Sequence, residues 1–117
     1  MPPRRARQRL TDILEAIAKV ELYVRGMDAT AFVNDPRTID AVIHNIQIIG
    51  EAVSALEPGI TNRYPEIPWI NIVSMRHLLV HGYFGVDFDI VWDTASRDMA
   101  PLRAVVQRML AELPAGE

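Results

Sequence analysis

The sequence predicts an all-α fold, an up-down bundle of four main helices forming one domain over residues 1–117. Two observations carry that prediction. Apolar residues recur at steps of three and four along four separate segments, the spacing of a helix with one buried face. Proline, glycine and capping residues fall between those segments, and no stretch reads convincingly with the two-residue alternation of a strand. Length and composition agree: 117 residues, 50% apolar and 23% charged, suit one hydrophobic core.

The first helix is expected from about Thr11 to Arg25, on the stripe Leu10, Ile13, Leu14, Ile17, Val20 and Val24. Thr11 or Asp12 can cap it, and Gly26 follows its end. The second is expected from about Ile39 to Glu57, started by Asp35-Pro36 or Thr38 and stopped by Pro58-Gly59. Its main face is Ile39, Val42, Ile43, Ile46, Ile49, Gly50, Val53 and Leu56. A thinner stripe, His44, Ile48, Glu51 and Ala55, lies nearly opposite. That stripe is open to two readings, contact with the fourth helix or with a second subunit. The third helix begins near Pro68, carries Ile70, Val73, Leu79 and Val80, and ends around His81-Gly82. The fourth starts after Asp87, a capping residue, and continues towards Leu113. Its buried side is Ile90, Val91, Ala95, Met99, Leu102, Val106, Met109 and Leu110, and Pro101 is expected to kink or split it.

Composition excludes several function classes. With no cysteine there are no disulfides, thiolate zinc sites, iron–sulfur clusters or thiol nucleophiles. No apolar run approaches the roughly 20 residues of a membrane span, and no apolar segment follows the basic N-terminus as a secretory signal would require. The default expectation is therefore a cytoplasmic protein. A net charge of −3 excludes a generic polycation for nucleic acid. Four of the twelve basic residues, Arg4, Arg5, Arg7 and Arg9, stand in the first nine positions, read as a solvated, flexible tail. Any contact with RNA or DNA must use that tail or a local cationic spot.

Chemistry concentrates in one stretch. There is no phosphate-binding glycine loop, dinucleotide turn or nucleophile elbow. From Ser74 to Gly85, however, two of the three histidines stand with an arginine and a tyrosine, at the end of a helix and the start of a loop. His77 and His81 share a helical face and could bind a metal, but no acidic third ligand lies one turn away. Arg76 and His81 are five residues apart, roughly 140° around the axis, yet a frayed helix end and a long arginine would let both address one anion. Histidine exchanges protons near neutral pH, and arginine binds phosphate through a forked, permanent charge. Together they form a minimal kit for metal-free cleavage of an RNA phosphodiester. The plainer reading is a helix C-terminus with cations set favourably against the helix dipole.

The run Tyr64-Pro65-Glu66-Ile67-Pro68-Trp69, then Met75-Arg76-x4-His81-Gly82-Tyr83-Phe84-Gly85-Val86-Asp87, then Ile90-Val91-Trp92, resembles the HepT toxins of the HEPN superfamily. The stretches Arg9-Leu10-x-Asp12-Ile13-Leu14-Glu15-Ala16-Ile17 and Asn45-Ile46-x-Ile48-Ile49-Gly50-Glu51-Ala52 are similar to the first two helices of that family. The likeness runs from about Arg9 to Leu113. It implies an all-helical homodimer whose Arg-x4-His motifs face a shared cleft, and a ribonuclease that needs no metal or other cofactor. It implies a partner as well, a small nucleotidyltransferase antitoxin that silences the toxin by adenylylating the motif tyrosine. Carried over by position, Arg76 and His81 are the catalytic pair and Tyr83 the modified residue. The position after the arginine is usually polar, often Asn or Asp; here it is His77, a candidate accessory group. A rival reading makes the domain a non-catalytic nucleotide-binding subunit of a nucleotidyltransferase, with Arg76 and His81 on a nucleotide phosphate.

Overall fold

A computed structural model describes residues 5–82 and 85–117. Among them the order is α1 (Ala6–Val24), α2 (Ala29–Val33), α3 (Pro36–Ser54), α4 (Pro58–Thr61), α5 (Trp69–His81), α6 (Phe88–Asp93), a π-helical turn (Thr94–Asp98) and α7 (Met99–Glu112). No strand is present among the described residues. The fold is all-α, as the periodicity requires. α3 lies at its centre, packed on α1 to one side and on α5 to the other, and α1 in turn packs on α7.

α1 starts at Ala6, five residues before the expected Thr11, so Arg7 and Arg9 belong to its first turns rather than to a tail. Thr11 does not cap; its hydroxyl donates to the Arg7 carbonyl inside the helix (2.9 Å). The start is held instead by the Arg5 N–H donating to the Gln8 side chain (2.9 Å). The C-terminal residues dock here as well: the Arg5 guanidinium donates to the Gly116 carbonyl and the Arg7 N–H to that of Glu117, both at 3.2 Å. At the far end the chain turns at Gly26, whose φ of 79° suits a residue without a Cβ.

α3 begins where Asp35-Pro36 indicates. Asp35 accepts from the Thr38 N–H (3.2 Å) and hydroxyl (2.8 Å), and those bonds, the side-chain one first, hold its carboxyl below the ordinary carboxylate value. The expected main face of α3 is buried throughout. In the thinner stripe His44, Glu51 and Ala55 are exposed, while Ile48 is half-buried against the core of its own chain.

Two short helices were not expected, α2 and α4. α2 exists to deliver one side chain: Phe32 is wholly buried and its ring meets Trp92 of α6 at 5.4 Å. The long fourth segment is broken, but just before Pro101 rather than at it. Proline at 101 has no N–H for the carbonyl of Arg97 and its ring crowds that oxygen. The ladder is re-phased through the π-helical turn, and Pro101 then sits in the first turn of α7, where a missing N–H costs nothing.

Candidate functional site

The stretch Tyr64 to Trp69 acts as the hinge pin that aims α5. Tyr64 and Ile67 are buried, and the Trp69 indole N–H donates back to the Tyr64 carbonyl (2.9 Å). The Tyr64 hydroxyl donates to Glu112 at the end of α7 (3.0 Å). Burial first, and the Glu112 carboxylate second, push this phenol above its ordinary value, so it is no proton source near neutrality. Arg108 pairs with Glu66 and lies 5.1 Å from the centre of the Tyr64 ring. Tyr64 and Glu66 thus tie the entrance of α5 to α7, and Trp69 ties α5 back to Tyr64.

α5 itself is apolar on all sides, and only Leu79 is buried. Val73, Met75, Ile72 and Arg76 are half-buried. Of the apolar residues that the helix carries, Ile70 and Val80 are 81% and 44% exposed, and Leu78 is 47% exposed. Ile90 of α6, expected inside, is 51% exposed. A helix whose main packing partner is α3 leaves part of its apolar circumference uncovered.

Arg76 is seated at the crossing of α5 and α3. A Cβ added at Gly50 would overlap the Cβ of Arg76 and stand 2.8 Å from its Cγ and 3.3 Å from the Ile72 carbonyl oxygen. Gly50 is therefore the residue that admits the catalytic-candidate helix to this depth. The pattern of α3 places Gly50 on the buried face, but nothing in it says that the base of the Arg76 side chain fills the space beside it. Among the described residues Arg76 has no ion-pair partner, whereas Arg97, Arg103 and Arg108 each meet a carboxylate.

His77 and His81 are exposed and in contact, their ring centres 4.5 Å apart and their planes at 50°. α5 stays helical through His81, and the Gly82 N–H closes on the Leu78 carbonyl (2.7 Å). The expected fraying at His81 is thus absent, and Arg76 and His81 keep their separation of roughly 140° around one axis. One chain brings the two histidines together and presents Arg76 towards the α3 side. Tyr83 lies outside the described residues. Asn45, within the α3 stretch that carries the resemblance, is buried; its amide donates to the Ala41 carbonyl (2.8 Å) and its Oδ1 has no partner among the described residues.

On the other side of the crossing, a cleft of about 370 Å³ opens between α3, α5 and the start of α7. Ile46, Ile49, Ile72, Met75, Met99 and Leu102 give it apolar walls, with the acids Glu66 and Asp98 at its rim. Burial, and then Asp93, raise the Asp98 carboxyl above its ordinary value. The cleft takes in none of Arg76, His77 and His81, so it is not where their chemistry would occur.

Comparison with known proteins bears on that chemistry. The family model described as "Ribonuclease HepT-like" matches residues 13–109. A candidate RNase of Methanocaldococcus jannaschii is 34% identical over 97% of this chain and 97% of its own length. The probable ribonuclease HepT of Thermococcus cleftensis is 37% identical over 86% of this chain and 91% of its own. A second candidate RNase of M. jannaschii is 38% identical over 80% and 77% respectively. No solved structure matches the chain.

Proposed function

This chain belongs to the HepT-like ribonucleases of the HEPN superfamily, and from that premise we propose that it is the toxin of a toxin–antitoxin pair, cutting RNA in the cytoplasm without a metal ion. The observation that carries this reading is on α5: an arginine with no carboxylate partner among the described residues and an exposed histidine on one helix. His81 takes the proton of a ribose 2′-hydroxyl. The freed oxygen attacks the adjacent phosphorus, the bond to the 5′-oxygen breaks, and that oxygen leaves with a proton from an imidazolium. Arg76 offsets the charge that builds on the phosphoryl oxygens. His77 stands beside the base as an accessory group.

Because one unbroken helix holds Arg76 and His81 apart, this reading calls for a second copy. A two-fold pair of α5 helices would set the arginine of one chain beside the histidine of the other and gather cations that an acidic body otherwise lacks. Silencing follows from charge. A nucleotidyltransferase antitoxin would join the α-phosphorus of ATP to the Tyr83 oxygen, releasing pyrophosphate and leaving AMP on a residue two positions after His81 in sequence. The added negative charge competes with RNA for the arginine, and the nucleotide fills the groove. Expression of this chain alone should arrest growth, and co-expression with a neighbouring nucleotidyltransferase gene should restore it. Incubated with that enzyme and ATP, the wild-type chain should gain AMP by intact mass while Tyr83→Phe stays unmodified and toxic. Modification of the Tyr83→Phe chain would refute the assignment.

A further inference from the structure

We propose that His77 and His81 form a two-imidazole chelate for a transition-metal ion, and that such an ion switches the ribonuclease off. The rings are the starting point: two exposed imidazoles one helical turn apart, with centres 4.5 Å from each other and planes inclined by 50°. With metal–nitrogen bonds of about 2.1 Å and about 1.1 Å from nitrogen to ring centre, two imidazoles held cis at about 90° have centres about 4.5 Å apart. The ring spacing thus matches that of a chelate, and both side chains are exposed, so each can turn a nitrogen towards a shared ion.

Two further features favour a cation here. His81 closes the last turn of α5, where the carbonyl ends of the helix attract positive charge. Neither histidine is engaged by a carboxylate among the described residues, so no acid must be displaced. Among those residues no group of three His, Cys, Asp or Glu side chains could hold a metal. The ion would therefore keep water at its other positions, bound reversibly rather than as a structural element. Imidazole pairs select copper, nickel and zinc over magnesium, calcium and manganese. Arg76, adjacent in sequence, packs its Cβ and Cγ against Gly50 of α3 and offers no lone pair to a metal.

The inhibitory half rests on the reading of His81 as the catalytic base: a nitrogen whose lone pair is given to a metal cannot take a proton. Binding and inhibition are therefore measured separately. Calorimetric titration of the tag-free chain with Ni²⁺ should show one ion per chain, at least tenfold tighter than in His77→Ala or His77→Gln. His44→Ala, which removes the third histidine, should bind as wild type does. Mg²⁺ should give no heat. Equal Ni²⁺ affinity in the wild type and both His77 variants would overturn the site. With RNA present, Ni²⁺ should suppress wild-type cleavage and EDTA restore it. Each His77 variant, compared with its own metal-free rate, should need at least tenfold more Ni²⁺. Tight binding that leaves wild-type cleavage untouched would overturn the inhibition, and a metal-free chain that cuts no RNA would count against the ribonuclease reading while leaving the chelate in place.

Discussion

At the scale of single residues, the position of Arg76 depends on an absence. Gly50 gives up its side chain so that the Cβ and Cγ of Arg76 can pack against α3, and Gly50→Ala forces the two helices apart or strains both. Overpacking of this kind costs about 1–3 kcal/mol. The variant should melt several degrees lower and, because Arg76 moves with α5, should also cut RNA more slowly at temperatures where it remains folded. A wild-type melting temperature together with wild-type cleavage would show that α5 tolerates the displacement. The sequence made Arg76, His77 and His81 legible because their residue types are uncommon together on a helix end. It left Gly50 unread, since the need for glycine there arises from a helix some twenty residues further on. The Arg76–His81 angle could be computed from spacing, but whether α5 would fray at His81 is decided by the hydrogen bond that closes its last turn.

Among the elements, a strong apolar stripe or a local start signal is enough to locate a helix from its sequence. The Asp35-Pro36 start of α3, the Asp87 cap of α6 and the buried stripe of α1 needed only neighbouring residues. α2 and α4, at five and four residues, are too short to show a period, and α2 is defined by where Phe32 must reach. The packing of α5 is not legible in its sequence, because apolar residues all round a helix do not say which side faces the core. The cap of α3 yields a test with a definite sign. The Asp35 carboxyl titrates below its ordinary value in the folded chain, so its stabilisation is present above the unfolded value and is lost as pH falls through the folded one. Asp35→Ala should lower the melting temperature at pH 7, and the gap from wild type should close as the pH drops below about 4, the ordinary carboxylate range. A gap that persists in acid would mean that the hydrogen bonds of Thr38 are not what holds this end of the helix.

For the whole molecule, the surface left uncovered on α5 matters more than the second stripe of α3. Ile48 is already packed on its own core, whereas Leu78 and Val80 stand about half in water beside His77 and His81. If two copies share a cleft, light scattering should give a dimer at micromolar concentration. Leu78→Asp should weaken it and the cleavage together, more than Ile48→Asp weakens the dimer without unfolding the chain. A monomer that still cuts RNA would sink the shared cleft. Whether Arg76 and His81 cleave RNA by proton transfer and charge stabilisation alone can be decided in one assay. Purified wild-type chain, Arg76→Ala and His81→Ala are each incubated with RNA in excess EDTA. The wild type should cleave to products ending in a 2′,3′-cyclic phosphate, and each folded variant should lose roughly 10²-fold or more of that activity. Wild-type activity that EDTA abolishes, or either variant cutting at the wild-type rate, would contradict that mechanism.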